Sequence, residues 1–160
     1  MALRIRGARK TDAGLIAEFI RALAKYERLS REVVVNDSLL KKHLFGPEPA
    51  AEVLIAEWNG APAGFALFFG NFSTFLGRPG IHLEDLFVKQ EHRGRGVGKA
   101  LLRHLARLAV KRGCGRLEWS VLDWNAPAIK FYRKIGAVPM KGWTVQRLTG
   151  GRLSRFARGA

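Results

Sequence analysis

The chain opens on Leu3-Arg4-Ile5-Arg6, where apolar and basic residues alternate with the two-residue period of a half-exposed strand. The next apolar positions, Leu15, Ile16, Phe19, Ile20 and Leu23, share one face of a helix. Thr11 or Asp12 can cap that helix, which runs to about Tyr26 or Glu27. Asp37 opens a short helix, Leu39 to Phe45, closed by Gly46-Pro47. Val53 to Trp58 reads as a strand, Asn59-Gly60 as a two-residue hairpin turn, and the nearly all-apolar run Ala63 to Phe69 as a central returning strand. Asn71 to Gly80, with its Ser, Thr, Gly and Pro, predicts a loop, and Ile81 to Val88 another strand. Leu101, Leu102, Leu105, Leu108 and Ala109 recur at helical spacing within a helix from about Val97 to Arg112. Gly113 suits its C-terminal stop, and Lys111 and Arg112 suit the negative end of its dipole. Arg116 to Val121 is a strand, Pro127 lies in the first turn of a helix that ends at Gly136, and Trp143 to Leu148 forms a last strand. Strands and helices are mixed without repeats or linkers. The expectation is one α/β (α+β) domain over residues 1–149, a mixed and mostly antiparallel sheet flanked by helices, followed by a basic tail over 150–160.

Composition adds three bounds. A chain of 160 residues buries a sizeable core as a single domain. One cysteine, Cys114, excludes an intrachain disulfide, the N-terminus lacks a signal-peptide pattern, and no apolar run is long enough to span a membrane, so the expected location is the cytoplasm with no membrane partner. The net charge of +15, from 28 Lys and Arg against 13 Asp and Glu, points to anionic partners. The basic residues are scattered, with mild concentrations at 93–116 and 147–158, and nucleic acid is the less favoured reading.

The candidate chemistry begins at Arg93-Gly94-Arg95-Gly96-Val97-Gly98-Lys99, between a strand pattern and a helix pattern. First-turn N–H groups without intrahelical partners, approached closely through glycines, make an anion site. Spacing chooses among glycine loops. Three residues separate Gly94 from Gly98-Lys99 where a P-loop needs four, and Ala100 stands in place of its hydroxyl. Gly94, Gly96 and Gly98 fall one residue short of a dinucleotide fingerprint. What remains is [Arg/Gln]-x-x-Gly-x-[Gly/Ala], met by Arg93, Gly96 and Gly98.

This loop resembles the pyrophosphate loop of the GNAT superfamily of N-acetyltransferases, and Val121 to Ala137, with Asn125, Phe131-Tyr132 and Gly136-Ala137, resembles its second cofactor motif. Leu23-Ala24-Lys25-Tyr26-Glu27, Leu83-Glu84-Asp85-Leu86-Phe87-Val88 and Trp124-Asn125-x-Pro127 together resemble the spermidine/spermine (diamine) acetyltransferase family, from roughly Ile5 to Trp143. The resemblance implies the GNAT fold, acetyl-CoA as cosubstrate and no metal, a homodimer, and direct acetyl transfer to a primary amine in a ternary complex. It implies that Arg93, Gly94, Arg95, Gly96, Val97, Gly98 and Lys99 hold the cofactor phosphates. The backbone of Leu86, Phe87 and Val88 would pair with the pantetheine arm, Asn125, Ala126, Pro127 and Ala128 would line its channel, and Tyr132 would also contact the cofactor.

In that setting Tyr132 is the candidate general acid, since a phenol with a pKa of about 10 stays protonated at neutral pH and can donate to the departing thiolate. Half-buried aromatic packing is its plain alternative. Glu84, a carboxylate in an otherwise apolar strand, is the candidate base, directly or through water; burial would raise its pKa, and a structural ion pair is the alternative. Asp85 would point to the opposite face of a regular strand and serve structure. Tyr26, Glu27 and Glu84 match the family's amine-binding positions. Cys114, at a helix C-terminus, is a poor nucleophile, and the four histidines show no metal-ligand spacing. The chain departs from the polyamine pattern at Ser73-Thr74-Phe75 and Met140-Lys141-Gly142, where no acid stands, and its net positive charge would repel a polycation. A polyamine, a thialysine-like amine, a protein lysine and an aminoglycoside therefore all stand as acceptors. A coenzyme A-binding regulator without activity is the remaining alternative.

Overall fold

Five strands form one sheet in the computed structural model of the chain, which describes residues 2–159. They are β1 (Leu3–Gly7), β2 (Glu52–Trp58), β3 (Ala61–Ser73), β4 (Arg78–Val88) and β5 (Arg116–Trp119), side by side in chain order. The first four pair antiparallel, and β5 joins β4 in parallel. The helices are α1 (Ala13–Tyr26), α2 (Asp37–Phe45), α3 (Val97–Lys111), α4 (Ala126–Lys134) and α5 (Gly150–Ala157). Two compact units result, one up to Leu122 that holds the whole sheet and one from Asp123 that holds α4 and α5.

Alternation along the strands decides what covers the sheet. Val53 and Ile55 of β2, Phe65 of β3 and Phe87 of β4 pack with Ala13, Ile16, Ala17, Phe19 and Leu23 of α1. Phe19 stacks on Phe65 with ring centroids 5.1 Å apart and meets Phe87 edge-on at 6.5 Å. Truncating a fully buried Phe of this kind to Ala costs about 3–5 kcal/mol. The intervening residues Leu54, Ala56 and Ala66 are buried as well, so the centre of the sheet is covered on both faces. Helix α3 packs along β2 to β5 and buries Val97, Leu101, Leu102, Leu105 and Ala109.

Polar groups fix the joints. Arg6 of β1 makes a bidentate pair with Asp12, at 2.8 and 3.0 Å, and its Nε lies 3.3 Å from Glu57 of β2. The guanidinium bonds hold the Asp12 carboxyl below the usual carboxylate range. Asp12 stands at the N-cap of α1, as the sequence predicts, but its oxygens serve Arg6 and the Arg9 N–H instead of the first turn of the helix. Asn36, ahead of Asp37, caps α2 by accepting from the Leu39 N–H at 2.9 Å. Asn59 and Gly60, with φ of 49° and 82°, form the two-residue turn in the left-handed region that joins β2 to β3.

Two expectations fail here. Asn71 to Gly80 is mostly ladder, not loop: β3 runs on to Ser73 and β4 starts at Arg78, with Ser73 opposite Arg78. Polar residues and a proline are tolerated there because the ladder groups are satisfied by the partner strand. Trp143 to Leu148 forms no strand among the described residues and is exposed throughout. Its alternating pattern has no partner within its own unit, and a strand without a ladder leaves its backbone groups to water. The basic tail contains α5, whose side chains are all exposed.

Candidate active site

The glycine loop sits at the N-terminus of α3. Gly94 and Gly96 both adopt φ of 79°, in the left-handed region, and a Cβ added at either would meet nothing within 4 Å. The loop face is therefore open, and the glycines are there for conformation and close approach. The first intrahelical bond runs from the Ala100 N–H to the Gly96 carbonyl at 2.9 Å, which leaves the N–H groups of Val97, Gly98 and Lys99 ahead of the helical ladder. No acid occupies the first turn. A cradle of forward-pointing N–H groups with the positive end of a dipole behind it fits a pyrophosphate.

Two arginines of the loop have other tasks. The Arg93 guanidinium lies over the Tyr26 ring at 5.0 Å and the Phe87 ring at 5.5 Å, and its Nε donates to the Val88 carbonyl at 2.9 Å. It ties the end of α1, the end of β4 and the loop together. Arg95 lies 4.9 Å over Trp58, at the β2 end of the hairpin, with its Nη1 3.5 Å from His92 Nδ1. Beyond Leu83, β4 has no strand on its β5 side among the described residues, because the β4–β5 ladder covers Gly80 to Leu83 only. The backbone of Glu84 to Val88 is thus an open edge leading to the glycine loop.

A bulge at this edge places the carboxylates. Leu67 pairs with Asp85 but Phe68 pairs with Leu83, so Glu84 is an extra residue in β4. The bulge cancels one step of the alternation. Asp85 therefore falls opposite Leu67, on the face that α1 covers. Glu84 is not buried as expected: its side chain is 55% exposed and its Oε2 lies 3.8 Å from His82 Nε2. Burial instead acts on Asp85, whose pKa is pushed up to about 6, first by desolvation and then by the charges of Glu84 and Glu27. Glu27 follows the last turn of α1, where burial raises its carboxyl too. Among the described residues, no Lys or Arg forms an ion pair with Glu27, Glu84 or Asp85.

The second unit carries the other motif. Asn125 is buried and caps α4, its Oδ1 accepting from the Ala128 N–H at 3.4 Å, and Pro127 lies in the first turn. Tyr132 lies on α4 beside Phe131, with ring centroids 5.7 Å apart, and both are half-buried. Gly136 ends the segment with φ of 98°, as its place in the sequence predicts.

The sequence model of the Acetyltransferase (GNAT) family matches residues 19–137. The chain belongs to that family. Within it, the chain is 37% identical over 164 residues to the thialysine N-epsilon-acetyltransferase of Bos taurus, covering 96% of each. It is 34% identical over 192 residues to the L-ornithine N5-acetyltransferase NATA1 of Arabidopsis thaliana, covering 92% of this chain and 84% of that one. An integron cassette protein from the mobile metagenome of V. cholerae superposes with a TM-score of 0.82 at 27% identity over 99% of both chains. This GNAT protein is an acetyltransferase with the mixed sheet of its family, and GNAT acetyltransferases in general draw the acetyl group from acetyl-CoA. Sequence reasoning missed Asp85 as the desolvated carboxylate of the site. Its signal was two consecutive acids in an apolar strand, and only the strand pairing shows which of the two the bulge turns inward.

Proposed function

We propose that the chain transfers the acetyl group of acetyl-CoA to a small primary amine, thialysine-like or polyamine-like, held at Glu27, Glu84 and Asp85. The observation that carries this reading is that group of carboxylates, which has no Lys or Arg ion-pair partner among the described residues, in a chain that has 28 Lys and Arg for 13 acids. Carboxylates held apart from so many available bases suit a cation that arrives with the substrate. The names of the curated relatives, which act on thialysine and ornithine, support the same class.

The proposed roles follow from placement. The N–H groups of Gly94 to Lys99 hold the cofactor phosphates, while Arg93 braces the loop against Tyr26 and Phe87. The open edge of β4 offers backbone groups of Leu86 and Phe87 to the pantetheine arm; Val88 already accepts from Arg93. Asn125, Ala126, Pro127 and Ala128 belong to the same cosubstrate channel by their motif. Asp85, with Glu84 beside it, takes the proton of the substrate ammonium, and the neutral nitrogen attacks the acetyl carbonyl carbon. As the carbon–sulfur bond breaks, Tyr132 gives its phenolic proton to the thiolate, and the second proton released by the attacking nitrogen restores the phenol through water. Tyr26 borders the amine site under Arg93. The GNAT domain covers 1–149 with a basic segment at 150–160, the working form is a homodimer on the resemblance to the diamine acetyltransferases, and its place is the cytoplasm on the lack of a signal-peptide or membrane-spanning pattern in the sequence.

The test is thiol release from acetyl-CoA across spermidine, putrescine, thialysine, lysine, an aminoglycoside and a basic peptide. Turnover with a small amine, sharply reduced by Tyr132→Phe and Asp85→Asn, is the expected result. Turnover confined to the peptide, or none with measurable acetyl-CoA binding, would overturn it.

A further inference from the structure

The outward face of α3 carries Lys99, Arg103, Arg107 and Lys111, all exposed and each four residues after the last. Four residues of α-helix rise about 6 Å and turn about 40° beyond a full circle, so the four charges climb about 18 Å along a slanting ridge that swings about 120° around the helix. Their surroundings make the row unusual. The helix has no acidic residue at all, and none of the four cations has an ion-pair partner among the described residues. Arg112, one step beyond, is by contrast neutralised by Glu52 at 2.7 and 2.9 Å. Like charges at i and i+4 disfavour a helix, so an uncompensated row of four is a standing cost that a bound polyanion would relieve.

The floor between the charges selects the kind of polyanion. Arg103, Arg107 and Lys111 flank Ala106 and Val110 around a shallow, open groove of about 370 Å³. Val110 is 79% exposed, but no aromatic or leucine side chain stands on this stripe to enter a lipid surface. Evenly repeated single charges suit a polymer whose own charges repeat evenly. The absence of an aromatic platform leaves backbone contact without base stacking.

We infer that this face of α3 binds the phosphodiester backbone of nucleic acid, without sequence preference. The sequence reading set nucleic acid aside because the basic residues are scattered along the chain. The helix gathers four of them onto one ridge. This site is separate from the carboxylates of the amine site and does not depend on the substrate proposed above.

The test is fluorescence anisotropy of the full chain with a labelled single-stranded oligonucleotide of about 20 nucleotides, long enough to span the row. Each single-strand phosphate contact adds about −0.7 to the slope of log affinity against log salt, so four contacts predict roughly 50-fold weaker binding at 200 mM than at 50 mM salt. Combining Arg103→Gln, Arg107→Gln and Lys111→Gln should lower the magnitude of that slope by about 2, with acetyl-CoA thiol release and far-UV circular dichroism as the parent's. Combining Arg147→Gln, Arg152→Gln and Arg155→Gln removes the same charge elsewhere and should leave the slope as it was. The inference is overturned by no binding at 50 mM salt or by a slope that the α3 variant does not change. It is equally overturned if the control triple changes the slope as much, or if poly-glutamate or phosphatidylserine vesicles bind more tightly than the oligonucleotide at equal salt.

Discussion

Replacing Asp85 with Asn should make the protein more stable and less active, and the two effects should share one pH dependence. The carboxyl is moved from an ordinary pKa of 3.8 to about 6, chiefly by desolvation and secondarily by Glu84 and Glu27. At about 1.4 kcal/mol per tenfold change in an ionisation constant, this corresponds to up to ~3 kcal/mol that the ionised side chain withdraws from folding. The sign follows from proton counting. Between about pH 4 and pH 6 the folded chain holds a proton on Asp85 that the unfolded chain has released, so stability falls as pH rises through that window and stays low above it. Asn keeps the shape and removes the charge. The variant should therefore match the parent near pH 4 and exceed it at pH 8 by up to ~3 kcal/mol, roughly 6–12 °C in Tm for a chain of this size. Thermal unfolding followed by circular dichroism at both pH values reads this directly. On the kinetic side, kcat/KM of the parent should fall below about pH 6 as Asp85 protonates, and the variant should lose that limb along with about a hundredfold of rate. A variant no more stable than the parent at pH 8 would refute the burial argument. A variant that keeps the acidic limb near pH 6 would refute the assignment of the base.

Three further outcomes can be checked with the same methods. On the proposed role of Tyr132 as general acid, Tyr132→Phe should lower kcat by about 10²–10⁴ with acetyl-CoA affinity unchanged in a direct binding titration, because that role is exercised only as the thiolate leaves. Gly96→Ala forces a side chain to φ of 79°, which costs about 1–2 kcal/mol in chemical denaturation and should weaken acetyl-CoA binding more than it alters kcat. Arg6→Met breaks a pair whose partners are 13% and 12% exposed and leaves Asp12 half-buried without its cation, a loss of about 3 kcal/mol at neutral pH. Since Arg6 holds the Asp12 pKa down, the stabilisation is present above the ordinary carboxylate range. The gap between variant and parent should narrow as pH falls through the lowered value.

The elements that were legible in the sequence are those whose own residues carry the signal. The apolar faces of α1 and α3, the Asn59-Gly60 turn and the stops at Gly113 and Gly136 depend on local periodicity and on φ above zero, and each lies where the pattern places it. The glycine loop is legible for the same reason, since its conformation is a property of Gly94 and Gly96 themselves. What escaped depends on a partner. The extension of β3 and β4 over 71–80 exists because the two strands satisfy one another, which overrides a loop-like composition. The bulge at Glu84 is a mismatch of counts between two strands, invisible along either one; Glu84 there is exposed where burial is expected, and the desolvated carboxylate is Asp85. Arg93 shows the same limit. Its place in the motif is legible, but its stacking on Tyr26 and Phe87 joins residues some sixty positions apart.

The net charge of +15 looks like an obstacle for a protein that must take up an amine, yet the range of each interaction resolves the conflict. At physiological salt, charges more than about 8 Å apart are largely screened when exposed, so most of the 28 basic residues act on an approaching amine only weakly. At contact, in the amine site proposed above, Glu27, Glu84 and Asp85 would act together where desolvation makes screening least. The long-range field therefore favours the anionic cosubstrate, and the local field favours the amine. Raising salt from 50 to 300 mM should then raise the KM for acetyl-CoA several-fold, because its phosphates meet a loop at the surface beside Arg93, Arg95 and Lys99. The KM for a small amine should change less than twofold, since the loss of distant repulsion offsets the weakening of local attraction. Initial rates of thiol release at several salt concentrations decide the matter. An amine KM that rises in parallel with that of acetyl-CoA would mean that the amine is held by exposed charges, and that the buried carboxylate at Asp85 is not its site.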